Sequence, residues 1–489
     1  MHFSNLCAAR HSALRAAALS AGAITIMGLA SGGHAAPPSV DVVLPENDPA
    51  PTGALVSGFQ KPSSNDLGQV GFVGILNDGD RFIWFNDDFV WFNSSFEAGT
   101  LTGGTATMGI SDNGDWVYNP QIDSEDGLIK NGEVLLVRGD PAEGFPDQFI
   151  SFTSRLQMLP DATVFVVAGL TTTQGGSSSQ GRVLYRITPE EEMIPVFASG
   201  DTVAGVTLSS GSNGIGFGYR ISRNGEHHIH RLVAAGSAPN NFVYVDGSVA
   251  AFQGAPVGDG TTWNAFRSVS INNHGDYLFT GTTSASPDGG TNHVTYNGQL
   301  VLRAGMTIDG FELPSNATSQ AVSISDNGSA VHGWTWGSGA SAGGAIFYSP
   351  DASELESSSI LLVEVGGMVD TTGDGQADAI VRGLNISEIA GPSFDLPSQP
   401  WLYTELELEP LSMPGVVFDA MARINFPADT VCVGDLTGDD VVNVFDLLAL
   451  LDAWGECVEP NDCPADLNGD GLVNVFDLLI LLEQWGVCR

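Results

Sequence analysis

Residues 435–455 read DLTGDDVVNVFDLLALLDAWG, and residues 466–486 repeat them as DLNGDGLVNVFDLLILLEQWG, an offset of 31 with 15 of 21 positions identical. A match of that quality is an internal duplication. Each copy places oxygen donors at loop positions 1, 3, 5, 7, 9 and 12, the spacing a seven-coordinate Ca²⁺ needs, because a tight loop turns alternate side chains inward and the twelfth residue closes the sphere from the first turn of a helix. In the first copy the donors are Asp435, Thr437, Asp439, the carbonyl of Val441, Asn443 and Asp446. In the second they are Asp466, Asn468, Asp470, the carbonyl of Leu472, Asn474 and Asp477. Position 12 is Asp rather than the longer Glu, and position 6 is Asp440 in the first copy where Gly471 stands in the second.

A short amphipathic helix is expected after each loop. Leu447, Leu450, Leu451 and Trp454 fall at intervals of 0, 3, 4 and 7, as do Leu478, Leu481, Leu482 and Trp485, and these stripes are expected to face each other. Val444 with Leu448, and Val475 with Leu479, form a second apolar strip. Two small helices cannot bury both, so one strip is expected to dock on the module itself, on the neighbouring domain or on a partner. No helix precedes either loop, so each unit is the loop-helix half of an EF-hand.

The tandem resembles a type I dockerin, and its cysteine-flanked form ending Trp485-Gly486-Val487-Cys488 is similar to the GC-type dockerin domain of bacterial exported proteins. The resemblance implies two structural Ca²⁺ ions and a non-catalytic role, attachment of the preceding domain to a partner. In the cellulosomal family that partner is a cohesin, read at loop positions 10 and 11, often a Ser/Thr pair. Here those positions are Val444-Phe445 and Val475-Phe476, so the surface offered to a cohesin-like or other extracellular protein is apolar: Val444, Phe445, Leu448, Val475, Phe476 and Leu479.

Four cysteines obey the same symmetry. Cys432 and Cys463 sit three residues before position 1, and Cys457 and Cys488 lie 22 after it. Four cysteines allow three pairings. Antiparallel packing of the repeats favours Cys432 with Cys488 and Cys457 with Cys463. A zinc site fails on spacing, since no two are separated as CxxC.

At the other end, residues 1–36 read as a signal peptide: Arg10 and Arg15, an apolar small-residue stretch from Ala16 to Ala30, then Gly33-His34-Ala35-Ala36. The expectation is a secreted protein, extracellular or at the cell surface, with no transmembrane segment. The whole chain of 489 residues carries 57 Asp+Glu against 17 Lys+Arg, a net charge of −40, which argues against nucleic acid as a partner. Only 12 of the acids lie in residues 431–489, so calcium ligation accounts for a small part of the charge.

Residues 37–430 read as a body of β-sheet repeats. A turn followed by a short apolar strand recurs at Asn65-Asp66-Leu67-Gly68, Asp112-Asn113-Gly114, Asn224-Gly225, Asn273-His274-Gly275 and Asp326-Asn327-Gly328, the glycines spaced by 46, 111, 50 and 53. Pro160-Asp161 supplies the copy missing from the long gap, without its glycine. Hairpin signals follow at Asn131-Gly132, Asp246-Gly247 and Asn297-Gly298. A period of about 50–60 residues is that of a propeller blade. The fold class expected is therefore mainly β: a β-propeller-like body of six to seven units, the strands within Trp401–Ile424 closing the ring with the N-terminal segment, followed by a small α-helical calcium module. An unclosed stack of sheets is the competing architecture. The body is also similar to bacterial exported tandem-repeat proteins, a resemblance that implies no activity.

Two clusters in the body invite chemistry. Glu226, His228 and His230 would share one strand face and could present a zinc or proton-transfer site, although the preferred reading is structural histidines. Asp370, Thr372, Asp374 and Asp378 form a third calcium-like loop, with Val381 where a closing carboxylate should stand; a plain Asp-Gly turn is the preferred reading there. No His-Glu-x-x-His helix or phosphate loop occurs. The functional expectation is assembly through the C-terminal module with the body as a binding or display domain for a polysaccharide or protein ligand. The competing class is a polysaccharide-active enzyme delivered by that module, whose catalytic residues the sequence does not assign.

Overall fold

The computed structural model describes residues 37–102, 107–211, 214–238, 240–284, 290–338, 342–386, 401–426, 436–437, 441–456, 463–467, 472–483 and 485–487. The expected signal peptide lies outside the described residues.

The body is a seven-bladed β-propeller. Its innermost strands are, in chain order, the interrupted pair Val56–Phe59 and Ser63–Ser64, then Met108–Ile110, Phe149–Met158, Ile215–Ile221, Trp263–Ile271, Thr318–Ile324 and Ala379–Leu384. Each begins an antiparallel meander, as in blade 3, where Phe149–Met158 pairs Val164–Thr171, which pairs Gly181–Ile187, which pairs Met193–Ala198. The ring closes in blade 7, where the N-terminal strand Val40–Pro45 pairs with Phe418–Asn425, outside Trp401–Pro410 and Ala379–Leu384. The two strands expected within Trp401–Ile424 are thus found, and the unclosed stack is ruled out.

Periodicity explains the layering. A strand with a blade packed on each face buries every residue, and Val164–Thr171 (VFVVAGLT) is buried along its whole length. Outer strands such as Glu133–Val137 keep exposed positions. Seven separate apolar cores result, each shared by two adjacent blades; Val117 of blade 2 packs with Val166 of blade 3, and Leu44 and Met421 of blade 7 pack with Phe72 of blade 1. The last of these cores is what makes the ring continuous.

The hairpin signals form as the dipeptides require. Asn131-Gly132 has φ of 52° and 90°, and Asn297-Gly298 has 46° and 82°, the two left-handed residues of a type I′ turn. At the copy that lost its glycine, Ala162 takes the left-handed conformation, with φ of 71°. A buried alanine tolerates there what the other blades assign to glycine, which is why the turn was faint in the sequence.

The C-terminal repeats pack antiparallel. Val441–Val442 of the first loop pairs with Gly486–Val487 at the end of the second copy, and Gly455–Glu456 pairs with Leu472–Val473. Helices Val444–Asp452 and Val475–Glu483 follow the loops as expected.

Candidate functional site

In the first loop, Asn443 and Asp446 form a capping box. The Asn443 side chain accepts from the Phe445 amide at 2.8 Å, and Asp446 Oδ2 accepts from the Asn443 amide at 2.8 Å. Asp446 Oδ1 also accepts from the amide and hydroxyl of Thr437, at 2.9 and 2.8 Å. Asp446 is fully buried. Burial opposes its ionisation, yet the donors on Asn443 and Thr437 hold its carboxyl below the usual range. The second loop repeats the pattern, with Asp477 Oδ2 accepting from the Asn474 amide at 2.8 Å and Asn474 Oδ1 accepting from Phe476 at 2.8 Å. Asp477 too is fully buried. Two buried carboxylates aimed back into acidic loops are a donor set that fits a divalent cation. Loop positions 9 and 12 therefore have a helix-capping role whether or not an ion is present. Asp466 is half-buried, while Asp435, Asp439, Asn468 and Asp470 lie outside the described residues.

The facing of the helices differs from expectation. Leu447, Leu450, Leu478 and Leu481 do meet, around a core of Val442, Ala465 and Val473. Leu451, Trp454, Leu482 and Trp485 do not: all four are exposed. Two nine-residue helices held by two-residue ladders enclose too little volume for the lower half of each stripe. Those residues instead extend the second strip, in which Val444, Phe445 and Leu448 are 50–63% exposed and Val475, Phe476 and Leu479 are 51–61% exposed. The module thus shows two nearly equal apolar surfaces related by its internal symmetry. Of the cysteines, Cys463 packs at the edge of the core, and Cys432, Cys457 and Cys488 lie outside the described residues.

Of the two clusters in the body, the histidines take a structural role. His228 and His230 are joined at 2.9 Å through Nδ1 and Nε2, and His230 is buried against Tyr219 and Phe197. Burial pushes the His230 pKa well below its ordinary value. Glu226 is in the preceding turn, where its carboxylate accepts from Asn224 at 3.2 Å, so the three-residue face does not form. Among the described residues no group of three or more His, Cys, Asp or Glu side chains converges as a metal would require. In the third loop, Asp370 accepts from the amides of Thr372, Gly373 and Gly375 at 3.0, 2.7 and 2.7 Å, and Asp378 Oδ1 accepts from the Thr371 amide at 3.0 Å. Asp370 also bonds the N-terminal strand, its carbonyl accepting from Val40 at 2.9 Å. The loop thereby anchors the ring closure. Asp378 Oδ2 is buried without a hydrogen-bond partner, which keeps calcium at this loop a proposal.

One acidic constellation escaped the sequence. Glu405 and Glu407 alternate along Trp401–Pro410, and Glu407 stands directly opposite Asp419 on the neighbouring strand. They line a cavity of about 750 Å³ with Trp336, Arg382 and Asn385. Burial, with Asp419 and Glu407 adding negative charge, raises the Glu405 pKa despite its bond from Asn385, and burial beside Glu46 raises that of Asp419. The stretch Thr404-Glu405-Leu406-Glu407-Leu408-Glu409 reads as an ordinary strand with one wet face. Only the facing strand and the approach of blade 6 make it concave.

Residues 433–484 match the family described as Dockerin type I domain, so the chain carries a dockerin type I domain after a seven-bladed propeller. Dockerin type I domains in general bind calcium and attach through cohesin-type partners, which supports attachment as the role of this region. No curated protein matches the chain. Among solved structures, prolyl oligopeptidase B from Galerina marginata is similar at 12% identity over 75% of this chain and 51% of its own, with a TM-score of 0.39. A PL25 polysaccharide lyase, an ulvan lyase, is similar at 11% identity over 65% and 87%, TM-score 0.35, and a gluconolactonase from Xanthomonas campestris at 13% over 62% and 95%, TM-score 0.29. At such scores none of them transfers an activity.

Proposed function

We propose that the protein is exported, that its dockerin domain fixes it to an extracellular or cell-surface partner, and that the propeller is the binding body so displayed. On this reading residues 1–36 direct export, residues 37–430 form the body and residues 431–489 the calcium-loaded anchor. The observation that carries it is the duplicated apolar surface on a region matching the dockerin family, with Phe445 and Phe476 exposed at the positions a cohesin-type partner would read. Apolar residues there favour a partner with an apolar complement. The loops would hold two Ca²⁺ ions, Asp446 and Asp477 closing them, and the 370–378 loop is a third candidate. The observed pairing of each loop with the end of the other repeat supports disulfides Cys432–Cys488 and Cys457–Cys463. Retention of the secreted chain on the producing cells tests the reading: Phe445→Asp with Phe476→Asp should release it to the medium with calcium-dependent circular dichroism intact. Unchanged retention would reject the apolar surface as the anchor.

A second reading, a polysaccharide-active enzyme carried by the dockerin, is favoured by the cavity holding Glu405 and Asp419, two carboxylates with raised pKa values. Polysaccharide turnover lost on Glu405→Gln would establish it.

A further inference from the structure

The body carries 14 basic residues against 45 acidic ones, yet one cavity on the propeller axis reverses that balance. It lies against the innermost strands of blades 1 to 4, and its lining includes Lys61, Arg220 and Arg223 with Ser63, Ser64 and Gln157 and no carboxylate, Arg223 being paired with Asp66 at its edge. Three cations in one small cavity of a strongly acidic protein are not what composition supplies by chance. The strand register explains how they meet. Arg220 stands one residue before the end of its innermost strand, Ile215–Ile221, the place taken by Gln157 in Phe149–Met158 and by Ser63 in Ser63–Ser64. Arg223 occupies the following turn.

Neighbouring groups fix Arg223, Lys61 and Gln157 rather than leaving them to wave in water. Arg223 Nη1 donates to Asp66 Oδ1 at 2.8 Å and reaches Ser64 O at 3.4 Å, spanning the axis from blade 4 to blade 1. Lys61 Nζ donates to Asn385 Oδ1 at 2.9 Å. Gln157 is clamped by the backbone of Ile221, donating to its carbonyl at 2.7 Å and accepting from its amide at 3.0 Å. Preorganised donors of this kind lose little conformational entropy when an anion arrives.

Size restricts the ligand. The cavity volume is about 40 Å³, on a scale where a single water takes about 10–15 Å³. A carboxylate or sulfate group fits that space.

We propose that this axial cavity binds one carboxylate or sulfate group, held by Lys61, Arg220 and Arg223, so that the ligand of the body is anionic. The proposal rests on the reading of the body as a binding domain, and it gives that ligand a chemical class. The group could belong to an acidic polysaccharide or to a small free anion, and the same titration separates the two sources.

Calorimetric titration of the full calcium-loaded chain with sodium sulfate, sodium glucuronate and a tetrameric uronate oligosaccharide is the test. At least one of these should bind, and Arg220→Gln and Arg223→Gln should each weaken it tenfold or more. Arg186→Gln, an exposed arginine on blade 3, should change nothing. Thermal unfolding of each variant guards against loss of fold, which matters most for Arg223→Gln because it breaks the bridge to Asp66. Tighter binding of the oligosaccharide than of glucuronate assigns the site to a polysaccharide; equal affinity assigns it to a free anion. No binding of any probe, equal binding by folded Arg220→Gln, or equal weakening in Arg186→Gln would each overturn the site. The anchor reading is untouched by any of these outcomes, since it is read on cell retention.

Discussion

The amide of Asn273 donates to Asp326 Oδ1 at 2.7 Å, and the Asn273 side chain donates to Asp326 Oδ2 at 2.6 Å, joining the turn of blade 5 to that of blade 6. The same link recurs as Asp66 N to Asp112 Oδ1 at 3.0 Å and Asn224 N to Asn273 Oδ1 at 2.8 Å. The repeated Asn and Asp residues are therefore fasteners between blades as well as turn formers. The chain of links stops at blade 3, where Pro160 contributes a carbonyl to Asp112 at 3.0 Å and, as a proline, has no amide to pass on.

Asp326→Ala should accordingly leave two donors of Asn273 without their acceptor and destabilise the body by about 1–3 kcal/mol. Asp78→Ala, in a turn outside this set, removes a single bond from the Asp80 amide and serves as the comparison. Equal urea midpoints for the two variants would show that the turn-to-turn links contribute nothing special.

Closure of the ring depends on one strand. Val40 and Leu44 are buried in two different inter-blade cores, and Asp41 pairs with Arg423 of the neighbouring strand. Val40→Asp would place an unpaired charge in the core shared with blade 6, a cost of several kcal/mol. The expected outcome is a lower unfolding midpoint and early proteolytic release of the N-terminal strand, read by mass spectrometry of limited digests. Cleavage that begins elsewhere at the wild-type rate would argue that the closure is not the weak seam.

These cases mark what was legible in the sequence. The duplication at 435–486 stated the loops, helices and antiparallel pairing outright, because ligand spacing and a 3.6-residue period are local. The hairpins at Asn131, Asp246 and Asn297 were equally local. Blade 3 was faint because Ala162 hides a left-handed turn. The apolar stripe was over-read: periodicity says that Leu451 and Trp454 share a face with Leu447, and only the partner helix decides how much of it is covered. The cavity of Glu405, Glu407 and Asp419 and the axial cluster of Lys61, Arg220 and Arg223 were invisible, since each joins residues from separate strands or blades whose meeting is a property of the closed ring.

Calcium removal probes the module. Asp446 and Asp477 are fully buried and tie loop to helix, so Asp446→Ala with Asp477→Ala should abolish calcium-induced ellipticity of residues 431–489 within the full chain. Chelator should do the same to the unmodified protein while the propeller's strand signal persists. Identical spectra with and without calcium would refute an ion-dependent fold. The single variant Asp446→Ala should shorten the first helix even in saturating calcium, because the capping box contributes about 0.5–2 kcal/mol.

The buried histidines set the acid limit of the body. His332 is fully buried, its Nδ1 accepting from Trp334 Nε1 at 2.9 Å while its Nε2 faces Ser359 Oγ at 2.9 Å; that pattern assigns the proton to Nε2 and keeps the ring neutral. Burial pushes the pKa of His332, and that of His293, down from 6.5 to about 3. A depressed histidine pKa means that the unfolded chain takes up protons that the folded one refuses. Their contribution to stability is complete above pH 6.5 and is lost as pH falls from 6.5 toward 3. The urea midpoint should therefore decline steadily across that window in the wild type. His332→Gln should be less stable at neutral pH, having lost the fit to Trp334, yet its decline should be shallower by the share of one proton. Because the acidic loops of the module titrate alike in both proteins, the difference between the two curves isolates His332, and parallel curves would place the acid sensitivity elsewhere.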